Sequence, residues 1–352
     1  MSTTPARVFF REQLLRWHFE ENDRELPWKN EKDPYKIWLS EIILQQTRAE
    51  QGRPYYESFT RQYPDVRLLA DAPEDEVFRL WQGLGYYNRC RNLLAAARTI
   101  SNDYKGKFPD TYEAILNLKG VGHYTAAAIA SFAFGLPYAV LDGNVYRVLS
   151  RYFGDAIPID STEGKVHFQD LASLLLDKEQ PAAYNQAIMD FGASVCSPKA
   201  PACATCMLAP KCVAYKKELT GLLPVKGKKL KVKERHLYYF VLEYGEAVYL
   251  QQRTGKDIWQ NLYEFFLIEP QQDYQDTDSW TALQPYISEA GASVFSNRQR
   301  LTHQLIISDF HQVKLKAKPH HLGQGIWVNK HDIKKYAFPK TILSFFNRKK
   351  YF

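Results

Sequence analysis

Up to about residue 225 the apolar positions of the chain recur three and four apart, the spacing that gathers side chains on one face of a helix. Val8, Phe9, Leu14, Leu15 and Phe19 make one such face, and Tyr35, Trp38, Leu39, Ile42 and Ile43 make another. Leu93, Leu94, Ala97 and Ile100 continue the pattern, and Ala126 through Phe134 predicts a further apolar helix. Tyr63-Pro64-Asp65 and Phe108-Pro109-Asp110 read as turns between them. Past residue 235 the texture changes. Leu237 to Tyr244 reads as a strand, Gly245-Glu246 as a turn and Ala247 to Leu250 as the returning strand. Leu262 to Ile268, Gln304 to Phe310 and Gly325 to Val328 are further strand candidates. An all-α region followed by an α+β domain is therefore expected, with no fixed-period repeat.

A chain of 352 residues has room for two or three domains, and 45% apolar with 24% charged residues excludes wholesale disorder. The net charge of +7 is unevenly spread: residues 1–225 sum to −1 and residues 226–352 to +8. Between them, Lys226 to Arg235 is basic and poor in core residues, so 223–235 reads as a linker, either a solvated tether or a DNA-contacting strip. No apolar run approaches the roughly 18 residues of a membrane span, and the first residues lack a secretory apolar stretch. A soluble cytoplasmic protein is expected.

Four of the five cysteines crowd into one short stretch. Cys196, Cys203, Cys206 and Cys212 have the spacing C-x6-C-x2-C-x5-C. Four thiolates suit a tetrahedral zinc or a four-iron cluster. With one C-x2-C pair and no histidine inside the loop, the spacing favours iron–sulfur ligation, with zinc as the alternative. The loop also carries Lys199, Lys211, Lys216 and Lys217, and no acidic residue falls between Asp190 and Glu218; these lysines either offset an anionic cluster or meet phosphate. Cys90 stands alone and reads as a small buried apolar residue. Upstream, Leu118 to Ala126 contains Gly120-Val121-Gly122 between two helical segments, a turn whose backbone N–H groups can face a phosphate at a helix N-terminus.

A helix–hairpin–helix followed by that cysteine loop resembles the endonuclease III superfamily. Within it, Ser40-Glu41-Ile42-Ile43-Leu44-Gln45-Gln46-Thr47, Gly83-Leu84-Gly85-Tyr86-Tyr87 and Leu141-Asp142-Gly143-Asn144-Val145 resemble the adenine DNA glycosylase family of the MutY type, over most of residues 8–215. Trp259-Gln260-Asn261-Leu262-Tyr263-Glu264-Phe265 is similar to a Nudix-type fold, without that family's glutamate-rich metal-binding helix. The resemblance implies a multidomain chain: an all-α helix–hairpin–helix glycosylase core over 1–222, with the hairpin near 112–134 and the iron–sulfur loop at 196–212, then the linker and an α+β Nudix-like domain over 236–352. It implies excision of adenine mispaired with 8-oxoguanine in double-stranded DNA, by a bacterial, nucleoid-associated monomer carrying a 4Fe-4S cluster on the four cysteines. By the same resemblance Arg24, Trp28 and Gln186 line the adenine pocket, Gln46, Thr47, Leu84, Tyr86, Gly120 and Gly122 meet DNA, and Thr302 with His303 reads 8-oxoguanine beside Leu301, where the family has phenylalanine.

Cleaving a glycosidic bond wants an acid and a carboxylate about an oxocarbenium-like transition state. Glu41 sits in an apolar helical run, with Ile37 and Trp38 one turn before it and Gln45 one turn after; burial there would raise its pKa and suit it to protonate a purine nitrogen. Taken alone, the plainer reading is a surface glutamate interrupting the pattern; the family resemblance reverses that order. Asp142 precedes a helix starting near Asn144, where a cap is the plain reading; the same helix end would keep it ionised beside a cationic sugar. Asn144 is grouped with these by its motif. Tyr124 stands where bifunctional relatives carry a Schiff-base lysine, so no strand-cleaving lyase step is expected. The alternatives are an endonuclease III-like glycosylase and lyase for oxidised pyrimidines, or a non-catalytic iron–sulfur protein that binds DNA.

Overall fold

The computed structural model describes residues 5–227, 232–270, 273–320 and 322–349. The chain divides into two units: Met1–Asp71 with Asn92–Lys229, and Ala72–Arg91 with Leu230–Phe352. The helices, in chain order, are α1 (Pro5–Glu20), α2 (Pro34–Leu44), α3 (Ala49–Gln62), α4 (Val66–Asp71), α5 (Glu74–Trp81) and α6 (Asn88–Asp103). They are followed by α7 (Tyr112–Leu116), α8 (His123–Phe134), α9 (Gly143–Phe153), α10 (Thr162–Leu175), α11 (Pro181–Ser194) and the single turn α12 (Val213–Lys216).

Local chemistry sets the ends of the helices that matter most. Asp33 caps α2 by accepting the Tyr35 N–H at 2.9 Å, and Pro34 fills the first helical position, where no N–H is needed. From Ile37 to Ile43 every α2 residue is buried, so this is a core helix rather than an amphipathic one. Alanines 126, 127, 128 and 130 let α8 lie close against it. The buried face of α1 differs from the one the spacing predicts. Phe10, Leu14 and Trp17 are buried, while Phe19 is 64% exposed and Val8, Phe9 and Leu15 are half-buried. Aromatic packing fixes that face: Phe10 meets Tyr152 at 4.7 Å, and Trp17 meets Phe191 edge-on at 5.3 Å. Cys90 is fully buried.

In the second unit, strands β1 (Lys233–Tyr244), β2 (Ala247–Gln252), β3 (Tyr263–Glu264), β4 (Phe266–Ile268), β5 (Ile287–Arg300), β6 (Gln304–Leu315) and β7 (Ile326–Asn329) build a mixed sheet in the order β3-β2-β1-β6-β5. β4 pairs with β1 and β7 with β2. β1 and β6 run parallel, whereas β5 and β6 form an antiparallel pair around the turn at Leu301, Thr302 and His303. Helices α13 (Asp278–Leu283) and α14 (Lys340–Lys349) complete the unit, and α5 packs into it, Asn261 donating to Glu74 at 2.8 Å. The start of β1 at Lys233 takes the last three residues of the expected linker into the sheet; Arg235 there forms ion pairs with Asp257 and Glu269. Lys228, Lys229, Leu230 and Lys231 lie outside the described residues. β5 is a strand the spacing does not reveal. Among the described residues no helix is long and apolar enough to cross a membrane.

The α9 helix ends at Gly154, which takes a left-handed φ of 71° and lies flat against the cysteine loop: a Cβ there would meet Val213 Cγ1 at 2.3 Å. Gly154→Ala is therefore expected to cost about 1–3 kcal/mol in urea unfolding. Adding Val213→Ala should recover only the part due to Cγ1, since Val213 Cβ would still lie 2.9 Å from the added carbon.

Candidate active site

Burial gives Glu41 its chemistry. Held on the core helix α2, it is 6% exposed, and loss of solvation pushes its carboxyl up to about 7. A hydrogen bond from the Tyr124 hydroxyl pulls the other way, and the negative charge of Asp142 adds to the rise. Tyr124 opens α8 just past the Gly122 cap, and its hydroxyl also lies 3.9 Å from Met189 Sδ. Gln45, one turn after Glu41, donates to Thr125 Oγ1 at 3.3 Å.

Asp142 is the N-cap of α9. Its Oδ1 accepts the N–H groups of Asn144 and Val145, both at 2.8 Å, and its Oδ2 accepts Asn144 Nδ2 at 2.8 Å. These donors and the nearby Arg147 favour the charged form, yet burial outweighs them and the net direction is upward. Burial thus opposes the helix end at Asp142. Both carboxyls are raised by burial, and among the described residues they differ in donors, three on Asp142 against one on Glu41.

A cavity of about 1050 Å³ opens onto both carboxyls. Arg24, Trp28, Tyr124, Asn144 and Gln186 share its wall, as do Gln46 and Thr47 at the end of α2. Trp28 stands edge-on to Tyr56 with ring centroids 5.4 Å apart, and exposed Gln46 takes a left-handed φ of 55°. The cavity is large enough for a nucleotide-sized ligand.

Behind this wall are groups whose role the sequence pattern does not reveal. Asp190, fully buried, holds Arg24 Nη1 at 2.7 Å, Gln186 Nε2 at 2.9 Å and Asn22 Nδ2 at 3.0 Å, with Lys29 Nζ 3.7 Å away. Its one signal is an acid inside the apolar run Ala187-Ile188-Met189-Asp190-Phe191. Arg147 on α9 donates to Asn144 Oδ1 at 2.8 Å, to the Gly192 carbonyl at 2.6 Å and to the Cys196 carbonyl at 2.8 Å. Arg151, one turn on, donates to the Ser197 and Pro198 carbonyls and lies 3.4 Å from Cys196 Sγ.

Cys196, Cys203, Cys206 and Cys212 line a second, apolar cavity with Arg151, Phe191 and Leu208. Among the described residues no group of three or more His, Cys, Asp or Glu is arranged to hold a metal ion. In the hairpin, Gly120 has a φ of 79° and a Cβ there would lie 2.6 Å from Asn92 Cβ; Gly122 faces open space. In the second unit, Tyr86 is 48% exposed and its hydroxyl lies 3.0 Å from Thr302 Oγ1, next to exposed His303. Leu84, expected to meet DNA, is 4% exposed.

Residues 39–166 match the model of the HhH-GPD superfamily of base excision DNA repair proteins, and residues 238–348 match a NUDIX domain. A thermostable thymine-DNA glycosylase superposes with a TM-score of 0.56 at 32% identity, covering 60% of this chain and 97% of that one. A trapped endonuclease III–DNA covalent intermediate superposes at 0.53 with 22% identity, covering 62% and 100%, a likeness of fold. These place the chain in the class of helix–hairpin–helix base excision repair proteins. An adenine DNA glycosylase of Buchnera aphidicola (subsp. Schizaphis graminum) is 35% identical over 256 residues, 73% of this chain and 74% of that protein. The chain belongs to the adenine DNA glycosylase family and is an enzyme of base excision DNA repair.

The hydrogen bond from Tyr124 lowers a carboxyl that burial raises, so Tyr124→Phe should move the Glu41 titration further up from about 7. Infrared difference spectra of the carboxyl band across pH, with Glu41→Gln as the blank, read that shift; a downward move would show that the hydroxyl does not act on Glu41.

Proposed function

We propose that the chain excises adenine opposite 8-oxoguanine in duplex DNA, as a monofunctional glycosylase working as a monomer, with Glu41 as acid and Asp142 as the carboxylate facing the sugar. The observation that carries this reading is one cavity of about 1050 Å³ shared by a carboxyl raised to about 7 and a carboxyl ringed by three donors. The adenine must leave the stack to reach it. Trp28 offers a ring face for stacking, while Gln186 and Arg24 meet the edge of the base. Glu41 gives its proton to a ring nitrogen. The bond between C1′ and the base nitrogen then breaks, and its electron pair departs with the base. Asp142 stabilises the resulting cationic sugar until a water adds to C1′ and gives up its proton to the Glu41 carboxylate, which resets the acid. Tyr124 holds Glu41 in place and has no amine with which to attack C1′, so the product is an abasic site in an unbroken strand.

Lysine-rich flanks and hairpin amides around Gly120 and Gly122 serve the phosphates, and Tyr86 with Thr302 and His303 reads the base opposite. The four cysteines fit a 4Fe-4S cluster. They surround an apolar cavity rather than converging on one ion, and Arg151 sets a positive charge 3.4 Å from a ligand sulfur. When bound, the cluster supplies a rigid cross-link that shapes the loop and its lysines. Cys196, Cys203, Cys206 and Cys212 would hold it.

With a duplex carrying adenine opposite 8-oxoguanine, strand breaks should appear only after hot alkali; breaks without it would mean a lyase. The single-turnover rate should fall about tenfold per unit of pH above about 7, because only the protonated acid works and its share shrinks there. Glu41→Gln should cost about 10²–10⁴ in that rate with DNA binding retained. Replacing the reader pair with Thr302→Val and His303→Ala should reduce the preference for 8-oxoguanine over guanine about tenfold, the loss of one or two hydrogen bonds. Equal losses opposite both bases would remove the pair from lesion reading.

A further inference from the structure

A side-chain amide has two unlike ends, a carbonyl that accepts and an NH2 that donates, and which end faces a ligand decides what the ligand must offer. In Gln186 that choice is made from behind. Asp190 lies one turn further along α11, fully buried and off the cavity wall, and its Oδ2 sits 2.9 Å from Gln186 Nε2. A carboxylate only accepts. Turning the amide over would press its oxygen against a carboxylate oxygen at the same distance, too deeply buried for bulk solvent to relieve. The carboxylate itself is anchored by Arg24 Nη1 at 2.7 Å on Oδ1, by Asn22 Nδ2 at 3.0 Å on Oδ2 and by Lys29 nearby at 3.7 Å. It therefore has no freedom to swing away from Gln186. What remains for the cavity is the Gln186 carbonyl as an acceptor, the one amide N–H that Asp190 does not take, and the other N–H groups of Arg24 as donors.

We infer that Asp190 is a positioning residue that sets base selectivity: by fixing the Gln186 amide it makes the cavity accept a purine with an amine at position 6 and reject one with an oxygen there. This rests on the reading of the cavity as a purine pocket. Adenine presents an N6 amine beside the acceptor nitrogen N7, which complements a carbonyl flanked by a guanidinium. Hypoxanthine and guanine would set a carbonyl oxygen against the Gln186 carbonyl. Asp190 does this without touching the base, and a role in stability alone would affect excision of both kinds of purine alike.

The test measures single-turnover excision of adenine and of hypoxanthine, each opposite 8-oxoguanine, by the full chain. In Asp190→Asn the new side chain can donate as well as accept, so the Gln186 amide is no longer held one way round. The adenine-to-hypoxanthine rate ratio should fall at least about tenfold, mainly through slower adenine excision. The paired variant Gln186→Glu with Asp190→Asn should rescue the ratio to within about threefold, because the introduced amide donates to one oxygen of the introduced carboxylate and leaves the other facing the base. If Asp190→Asn fails to melt cooperatively, the paired variant decides: a kept ratio supports the inference and a lost one overturns it. An unchanged ratio in a folded Asp190→Asn would overturn the inference while leaving adenine excision in place. No adenine excision by the unaltered chain would overturn both this inference and the purine reading beneath it.

Discussion

The guanidinium of Arg147 carries five N–H donors into a place that is 8% exposed, and the structure around the site is arranged to receive them. It reaches four acceptors: the carbonyls of Gly143, Gly192 and Cys196, and the Asn144 side chain. Those acceptors belong to the first turn of α9, to the end of α11 and to the start of the cysteine loop, so one cation ties α9 to a stretch some 45 residues further along the chain. The Asn144 amide completes the line by donating to Asp142. A buried arginine left without any of these partners would cost several kcal/mol, about the margin by which a domain is stable. The loop geometry, the packing of α9 on α11 and the orientation of the Asp142 carboxyl are thus one arrangement rather than three.

Buried charge is handled differently at each acid of this unit. Asp190 is surrounded by donors and cations on both oxygens, which makes it a fixed acceptor. Asp142 has three donors yet is raised by burial, a compromise between cap and cavity. Glu41 has little more than one tyrosine hydroxyl. In the proposed reaction the ordering tracks their uses: an acceptor held in place by its partners, a carboxylate that faces a cation, and an acid that gives up a proton near neutrality. In the second unit the same logic gives Glu264 a structural place, paired with Arg253 at 2.6 Å and bonded to Gln251 and Tyr239.

What could be read from the sequence was local. Glu41 stood out because a charge inside an apolar helical run has to be either an error in the pattern or a buried group, and the four cysteines stood out because ligand spacing is written along the chain. Asp142 could be read as a cap, but not the burial that outweighs the cap, since that comes from the elements packed over it. Asp190 and Arg147 take their meaning from partners 166 and 45 residues away. Strand β5 escaped notice because most of its first seven residues are exposed and show no alternation; only its pairing with β6 makes it a strand. The grouping of residues 72–91 with the C-terminal unit was equally out of reach, since Tyr87 meets the Phe338 carbonyl and Gln82 the Phe338 N–H across some 250 positions.

The residue at position 124 ties the choice of reaction to the state of the acid. The tyrosine hydroxyl meets Glu41 as a neutral donor, and burial wins, leaving the carboxyl near 7. A lysine ammonium in its place would put a full positive charge beside Glu41, and an opposite charge at that range in a desolvated site lowers a carboxyl by about one to three units. Glu41 would then be a carboxylate at neutral pH and a poor donor to a purine nitrogen. The lysine needed for a Schiff base would in turn be held protonated by the same pair, and so be a poor nucleophile. Lyase chemistry from this position and acid-assisted loss of a purine by Glu41 therefore make opposite demands on one pair of side chains. In this chain the pair is tyrosine and a buried glutamic acid, the combination that the proposed acid-assisted excision requires.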